Sequence, residues 1–337
     1  MMTEHRKVYN MQQSETKKQN SVIVYLTRQK DLWIFIHSIK YLYRNFNNVH
    51  NYPVVVFHDD VTGVDISNIM VQLHHQLGYV PNIKFEKLSF VLPDNISSDP
   101  AKYIHPSGHP ISLSNFPIGY RHMCRFYALD IVNHAAMKPY RYFMRMDSDS
   151  FLLSSISIDP FQRMKDSGYV YCDCVSEQNT EKDNEWSFAA KEISWAREGL
   201  WESTNQYITA NSCEIFNPPT NYEGELYNTN MEILDMDFFR QKNYQEFLTH
   251  IVSDENFYYK RWGDHCIRWL GLRLFSDPKK IWWGVKDLNF CYQHGGLIVG
   301  AEKANPECVS VLPEPFKTRT LNIINKGETD VLASISR

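Results

Sequence analysis

Arg141-Tyr-Phe-Met-Arg-Met-Asp-Ser-Asp-Ser-Phe-Leu-Leu153 is the stretch whose reading decides the fold. Residues Tyr142 to Met146 are β-formers and adaptable apolar side chains, with Arg145 the one strong exception, so they predict a buried strand. The strand runs into two carboxylates, Asp147 and Asp149, and then returns to apolar residues. α/β sheets tend to bind ligands at such strand ends. Two close carboxylates repel unless something positive sits between them. A divalent cation with a phosphate-bearing substrate beyond it satisfies that requirement. An Asx-type turn leaving a strand is the structural alternative.

Working outward, Ser21-Val-Ile-Val-Tyr-Leu26 is a β-branched run of strand length. Leu32, Phe35, Ile36, Ile39, Leu42 and Tyr43 then recur at helical spacing and give one apolar face up to about Phe46. Val54-Val-Val-Phe57 is a second buried strand. The three make a β-α-β unit, which predicts parallel strands. Asp59 and Asp60 read as a second acidic site or as the solvated turn before a helix over 64–77. Lys84–Lys87 is a weak third strand, and 92–116 is a long loop without periodicity. A helix is expected over 118–132, with Arg121 and Arg125 four residues apart as a phosphate contact or a solvated face.

After the Asp-Ser-Asp strand, a short helix is expected near 161–165 and a strand over 169–174. A helix is predicted over 186–206, then a loop over 211–225. Asp235 reads as the N-cap of the segment containing Phe238 and Phe239. Glu232 has no structural duty evident from its neighbours. An apolar helix is expected over 266–275, a strand over 280–283, and His294 stands before a Gly-Gly turn. No internal repeat is present.

Composition narrows the class. The chain has 337 residues, a formal net charge of -4 and 22% charged residues, which is an ordinary globular balance and argues against a dedicated nucleic-acid binder. Aromatics reach 14%. The seven cysteines contain no CxxC pair, so a zinc knuckle is not expected and buried thiols are. There is no apolar run of transmembrane length and no signal-peptide centre. The chain as given therefore reads as cytoplasmic or soluble. A polar, disordered tail is expected over 1–20, one domain over 21–312 with halves meeting near 150, and an extension over 313–337.

Four segments resemble one family together. Tyr120-Arg-His-Met-Cys-Arg-Phe126 resembles the YRHMCRF segment of the fungal α-1,2-mannosyltransferases, glycosyltransferase family 15. Asn230-Met-Glu-Ile-Leu-Asp-Met-Asp-Phe-Phe-Arg240 is similar to their SNFEIxDLDFFR. Phe257-Tyr-Tyr-Lys-Arg-Trp-Gly-Asp264 resembles FYYERWGD, and Tyr292-Gln-His294 their YxH. Order and spacing agree over about 21–310. The resemblance implies an α/β, GT-A-like nucleotide-sugar transferase fold with a mixed central sheet. It implies a retaining mechanism, GDP-mannose as donor, manganese or another divalent cation, and a glycan or glycoprotein acceptor. By position, Asp147 and His294 would be metal ligands, and Asp149 would support the metal or the donor sugar. Glu232 matches the glutamate proposed as nucleophile, acting through a glycosyl bond or as a fixed charge. Asp264 would serve the acceptor or cap the following helix. Tyr120, Arg125, Thr27 and Arg28 would lie along the donor.

The departures are specific. Asp-Ser-Asp replaces the family's Glu-Pro-Asp, which keeps another UDP- or GDP-linked sugar open as donor. A catalytically silent carbohydrate-binding module is the alternative of a different class. The family's Cys-His-Phe-Trp block is missing before residue 230, which leaves the pairing of Cys213 open. Family members are typically held in the Golgi membrane by an N-terminal helix, for which this sequence shows no candidate.

Overall fold

The computed structural model describes residues 20–103, 116–180, 186–212, 215–295 and 297–326. The tail expected over 1–20, except for Asn20, lies outside them, as do Cys213 and residues 104–115 of the loop read over 92–116. The first half is the predicted β-α-β unit. Strand β1 (Ser21–Leu26) is followed by helix α1 (Leu32–Leu42), strand β2 (Val54–His58), helix α2 (Gly63–Leu77) and strand β3 (Ile83–Lys87). Asp59 and Asp60 are exposed turn residues, and the Asp60 carboxylate accepts from the Gln29 backbone N–H at 2.7 Å. The N-cap of α2 is Thr62, in a reciprocal capping box with Asp65.

Helix α3 (Ile118–Arg125) widens into a π turn over Phe126–Asp130. Strand β4 (Tyr142–Met146) follows, then β5 (Ser150–Leu152), helix α4 (Pro160–Ser167) and β6 (Tyr171–Asp173). The region read as one helix over 186–206 is broken. Short strands occupy Ser187–Phe188 and Ala190–Lys191, and Ser194–Arg197 is a 3-10 turn. Only α5 (Leu200–Ala210) is helical, because Gly199 takes φ 80° and resets the chain. Strand β7 (Met231–Asp235), helices α6 (Lys242–Ser253) and α7 (Asp264–Phe275), and strands β8 (Ile281–Trp283), β9 (Tyr292–His294) and β10 (Leu297–Val299) complete the fold, with α8 (Phe316–Lys326) after them. The ring of Phe316 packs 5.1 Å from that of Phe151, so α8 starts on the body of the protein.

The central sheet has seven strands in the order β8-β6-β7-β4-β1-β2-β3. β1 to β4 run parallel, and β7 enters antiparallel between β4 and β6. Side chains alternate between two apolar layers. Ile23, Tyr25, Met144, Met146, Met231 and Ile233 face one layer, and Val22, Val24, Phe143 and Leu234 the other. This alternation follows from the two-residue period of a strand. No helix among the described residues is long and apolar enough to cross a membrane.

Candidate active site

Register explains why an arginine interrupts β4. Arg145 and Glu232 are directly opposed on β4 and β7, so both point to the same face of the sheet. Under that face lies the aromatic ring of Tyr127, 3.6 Å from the Arg145 guanidinium carbon. Arg145 Nε donates to Asp147 Oδ1 at 2.9 Å, and Nη1 donates to Asp264 Oδ2 at 2.5 Å. Glu232 Oε1 stands 3.9 Å from the same Nη1. One guanidinium thus serves three carboxylates from three separate segments.

A second buried guanidinium comes from α7. Arg268 donates through Nε to Glu232 Oε2 at 3.2 Å and through Nη2 to Oε1 at 3.3 Å. The same Nη2 donates to the Tyr127 carbonyl at 2.9 Å, within the π turn. Asp264 and Arg268 are four residues apart on α7, so one helix face delivers an acid and the partner of another. Glu232 is not idle structurally: it is the cross-strand partner of Arg145 and the counter-ion of Arg268. Asp264 is the first residue of α7 and makes no side-chain capping bond; its carboxylate goes to Arg145 instead.

Asp147 and Asp149 sit in a turn just past β4. The Asp147 N–H donates to the Asn230 carbonyl at 3.2 Å, and the Asp147 carbonyl accepts from Ser150 N–H at 3.0 Å. The backbone therefore closes a turn over 147–150 directly after the strand. β5 pairs with β9, placing His294 opposite Ser150. His294 Nδ1 lies 3.2 Å from Asp149 Oδ1 and 3.3 Å from Ser150 Oγ, and the Tyr292 hydroxyl meets the same Oγ at 2.6 Å. Among the described residues, His294 Nε2 and Asp147 Oδ2 carry no protein hydrogen bond. The Asp147, Asp149 and His294 side chains retain 21%, 37% and 25% of their surface, while Glu232 retains none.

Charge follows burial and partners. Burial pushes the Asp147 carboxyl up, against the pull of Arg145. Burial also opposes ionisation of Asp149, but the His294 ring outweighs it and holds that carboxyl below its usual range. Burial resists a proton on His294, and Asp149 more than offsets it, so the ring titrates above its ordinary value. Glu232 is raised by burial in spite of Arg268 and Arg145. Asp264 is opposed by burial yet held low, chiefly by Arg145.

The donor-side residues divide. Thr27 and Arg28 follow β1, whose pairing with β4 sets them at the same sheet end as Asp147. Thr27 is buried with its hydroxyl unpartnered, and Arg28 is exposed and paired with Asp31. The Arg261 guanidinium lies 5.7 Å from the Tyr120 ring centre, and Arg125 pairs with Asp130 at 3.4 Å. Of the two readings of Arg121 and Arg125, a phosphate contact or a solvated face, burial of Arg121 rules out the solvated one for that residue. Arg121 is 2% exposed and donates to the carbonyls of Phe116, Tyr258 and Lys260, so it ties α3 to the segment before α7.

A separate cluster, Glu192, His265 and Cys266, brings its ligating atoms within 4.8 Å of one another, more tightly than Asp147, Asp149 and His294 are gathered. It is an ion-paired group. Glu192 Oε2 accepts from Arg261 Nη1 and lies 2.8 Å from His265 Nε2. Arg145 stood out in sequence but was given no role, and Arg268 and this cluster were not singled out. A lone arginine inside an apolar strand was the signal for the first.

The model of the glycolipid 2-alpha-mannosyltransferase family matches residues 2–316. The chain is 28% identical over 281 residues to the probable mannosyltransferase KTR3 of Saccharomyces cerevisiae, covering 79% of this chain and 65% of that protein. It thus spans just under two thirds of that relative's length. Among solved structures it is similar to the mannosyltransferase Ktr4p of S. cerevisiae in complex with GDP, with TM-score 0.73 and 22% identity over 93% of this chain and 84% of that one. It is also similar to core-mannan synthase A of Aspergillus fumigatus in its Mn/GDP form, with TM-score 0.70 and 23% identity over 88% and 80% of the two chains. The mixed sheet and its flanking helices are those of a GT-A-like glycosyltransferase.

Proposed function

The chain belongs to the glycolipid 2-alpha-mannosyltransferase family, and on that premise we propose that residues 21–312 form one catalytic unit that transfers mannose from GDP-mannose, with retention, to a hydroxyl of a glycan or glycoprotein. The observation that carries this reading is the partly exposed trio Asp147, Asp149 and His294, set at a strand end in front of a buried charge cluster. The trio fits a divalent cation such as manganese. Its donors are carboxylate oxygen and imidazole nitrogen. Among the described residues Asp147 Oδ2 and His294 Nε2 carry no protein hydrogen bond, and the other imidazole nitrogen is held by Asp149, the usual support of a metal-bound histidine. Asp147 and His294 would hold the ion, with Asp149 fixing the ring and facing the donor. A bound cation would neutralise charge on the departing diphosphate.

The protein's own groups do the rest. Thr27 and Arg28 stand where the nucleotide would meet the end of β1, with Tyr120 and Arg125 toward the diphosphate and sugar. Asp264, fixed by Arg145, is the acid nearest in role to the incoming hydroxyl. Glu232 supplies buried negative charge behind the reacting centre.

The test is incubation with GDP-mannose, manganese and simple mannosides, with the new linkage read by NMR. Asp147→Ala and His294→Ala are expected to abolish transfer while the fold survives. Transfer that persists in EDTA and in Asp147→Ala would overturn the metal assignment. The serine and shorter acid of the Asp-Ser-Asp turn favour a check on the donor. In a thermal-shift panel with manganese, stabilisation by UDP but not GDP would exclude GDP-mannose. A chain that neither transfers nor hydrolyses any donor would instead be a binding module.

A further inference from the structure

By the resemblance, Glu232 would act on the sugar either through a bond or as a fixed charge. Its surroundings in this chain are those of a different task. The side chain has no exposed surface. Both oxygens hold N–H groups of one guanidinium, at 3.2 and 3.3 Å. Arg268 is itself fixed: it is 2% exposed, donates to the Tyr127 carbonyl, and its guanidinium carbon is 4.8 Å from the Phe239 ring centre. On its open side Glu232 meets Arg145, which is committed to Asp147 and Asp264. A carboxylate nucleophile must bring an oxygen to roughly 3–3.5 Å from the reacting carbon. Here no oxygen has a surface to offer, and the fork draws charge away from the lone pairs that would attack.

Resting on the functional reading above, we infer that Glu232 forms no bond to the sugar: with Arg268 it is a buried ion pair that sets the place of Arg145, which in turn positions Asp147 and Asp264. Glu232 and Arg268 are positioning residues. Transfer is then a single displacement on one face of the sugar. The bond from the anomeric carbon to the diphosphate oxygen breaks, and its electron pair leaves with the diphosphate. The acceptor oxygen forms the new bond on the same face, and its proton passes to a diphosphate oxygen.

Charge bookkeeping supplies the test. Removing Glu232 alone strands the Arg268 guanidinium in the interior. Replacing both by Gln strands no charge and keeps a neutral polar pair of similar shape behind Arg145, which stays in place against Asp147 and Asp264. Glu232→Gln is expected to lower kcat at least 100-fold, and Glu232→Gln/Arg268→Gln to recover at least tenfold of that loss with the KM for GDP-mannose little changed. A double variant as inactive as the single one overturns the inference. Should the variants not fold, the native enzyme decides. Incubated with manganese and the slow donor GDP-2-deoxy-2-fluoromannose, it should show no glycosyl adduct by mass spectrometry. An adduct on the peptide carrying Glu232 overturns the inference. Failure of the functional reading is separate: native protein would then process no GDP-mannose, yet thermal unfolding would still show each single variant weakened and the double variant restored.

Discussion

Replacing Arg145 by Met removes the one group shared by Asp147, Asp264 and Glu232. The expected loss can be worked from burial. The Arg145 and Asp264 side chains are each 3% exposed, so their contact belongs with buried ion pairs and not with surface ones. Stranding one partner of such a pair costs about 3–5 kcal/mol. Asp147 is 21% exposed, and water takes over part of what Arg145 gave it. Glu232, at 3.9 Å, keeps Arg268. The Asp264 link therefore dominates, and the estimate for Arg145→Met is ~4 kcal/mol, or roughly a 6 °C fall in Tm at this chain length. The loss also has a sign in pH. Without Arg145 the Asp264 carboxyl titrates higher in the folded protein. A raised folded-state pKa gives stability that is present at low pH and lost as pH rises through it. The gap between parent and variant should be widest above neutrality and narrow toward pH 5. Urea denaturation followed by circular dichroism at pH 5, 6 and 7.5 measures it. A variant within about 1 kcal/mol of the parent at pH 7.5, or a gap that widens on acidification, would refute the hub.

Three further outcomes follow from contacts elsewhere. Burial opposes ionisation of Glu192, but His265 and Arg261 hold its carboxyl down from 4.5 to about 2. Its contribution, roughly 3 kcal/mol at 1.36 kcal/mol per pH unit, is whole above pH 4.5 and lost as pH falls toward 2, so Glu192→Gln should weaken the fold at pH 7 and hardly at all near pH 2 by urea denaturation. Gly271→Ala would set a methyl 2.7 Å from the Tyr244 hydroxyl oxygen, inside packed α7, and calorimetry should show a loss of about 1–3 kcal/mol. Thr62→Ala breaks the exposed capping box of α2 and should cost about 1 kcal/mol with transfer activity unchanged.

What could be read in advance was what depends on neighbours in sequence. The β1, β2 and β4 strands, the helix before β3 and the Asp235 cap lay in periodicity and local hydrogen-bonding chemistry, and the structure returns them within a residue or two, while the helices starting at Leu32 and Ile118 pass into π turns after Leu42 and Arg125. The long helix expected over 186–206 failed because its apolar spacing is shared by short strand pieces, and Gly199 was given no weight. Arg121 and Arg125 are four apart, but only tertiary contacts decide which guanidinium is spent on backbone carbonyls. Of the trio proposed above for the cation, Asp147 and Asp149 stand together in sequence, while His294 came only from the resemblance, since β9 joins β5 across more than a hundred residues. Arg268 was invisible. Nothing in an apolar helix says which strand residue its one buried cation will meet.

The direction of β7 has a consequence for how this site can diverge. Asp147-Ser148-Asp149 lies beyond the last paired residue of β4, Met146, so exchanging an acid for a longer one or a serine for proline at residue 148 breaks no sheet bond. Glu232 lies inside the ladder, paired to Arg145 on one side and Asp173 on the other. A slip of one residue there would swing Glu232 into the opposite apolar layer and set an isoleucine or methionine against Arg268. On the function proposed above, donor preference is open to drift one turn residue at a time, while the charge behind it changes only by coordinated replacement of several residues, and a chain can acquire a new sugar without rebuilding its interior.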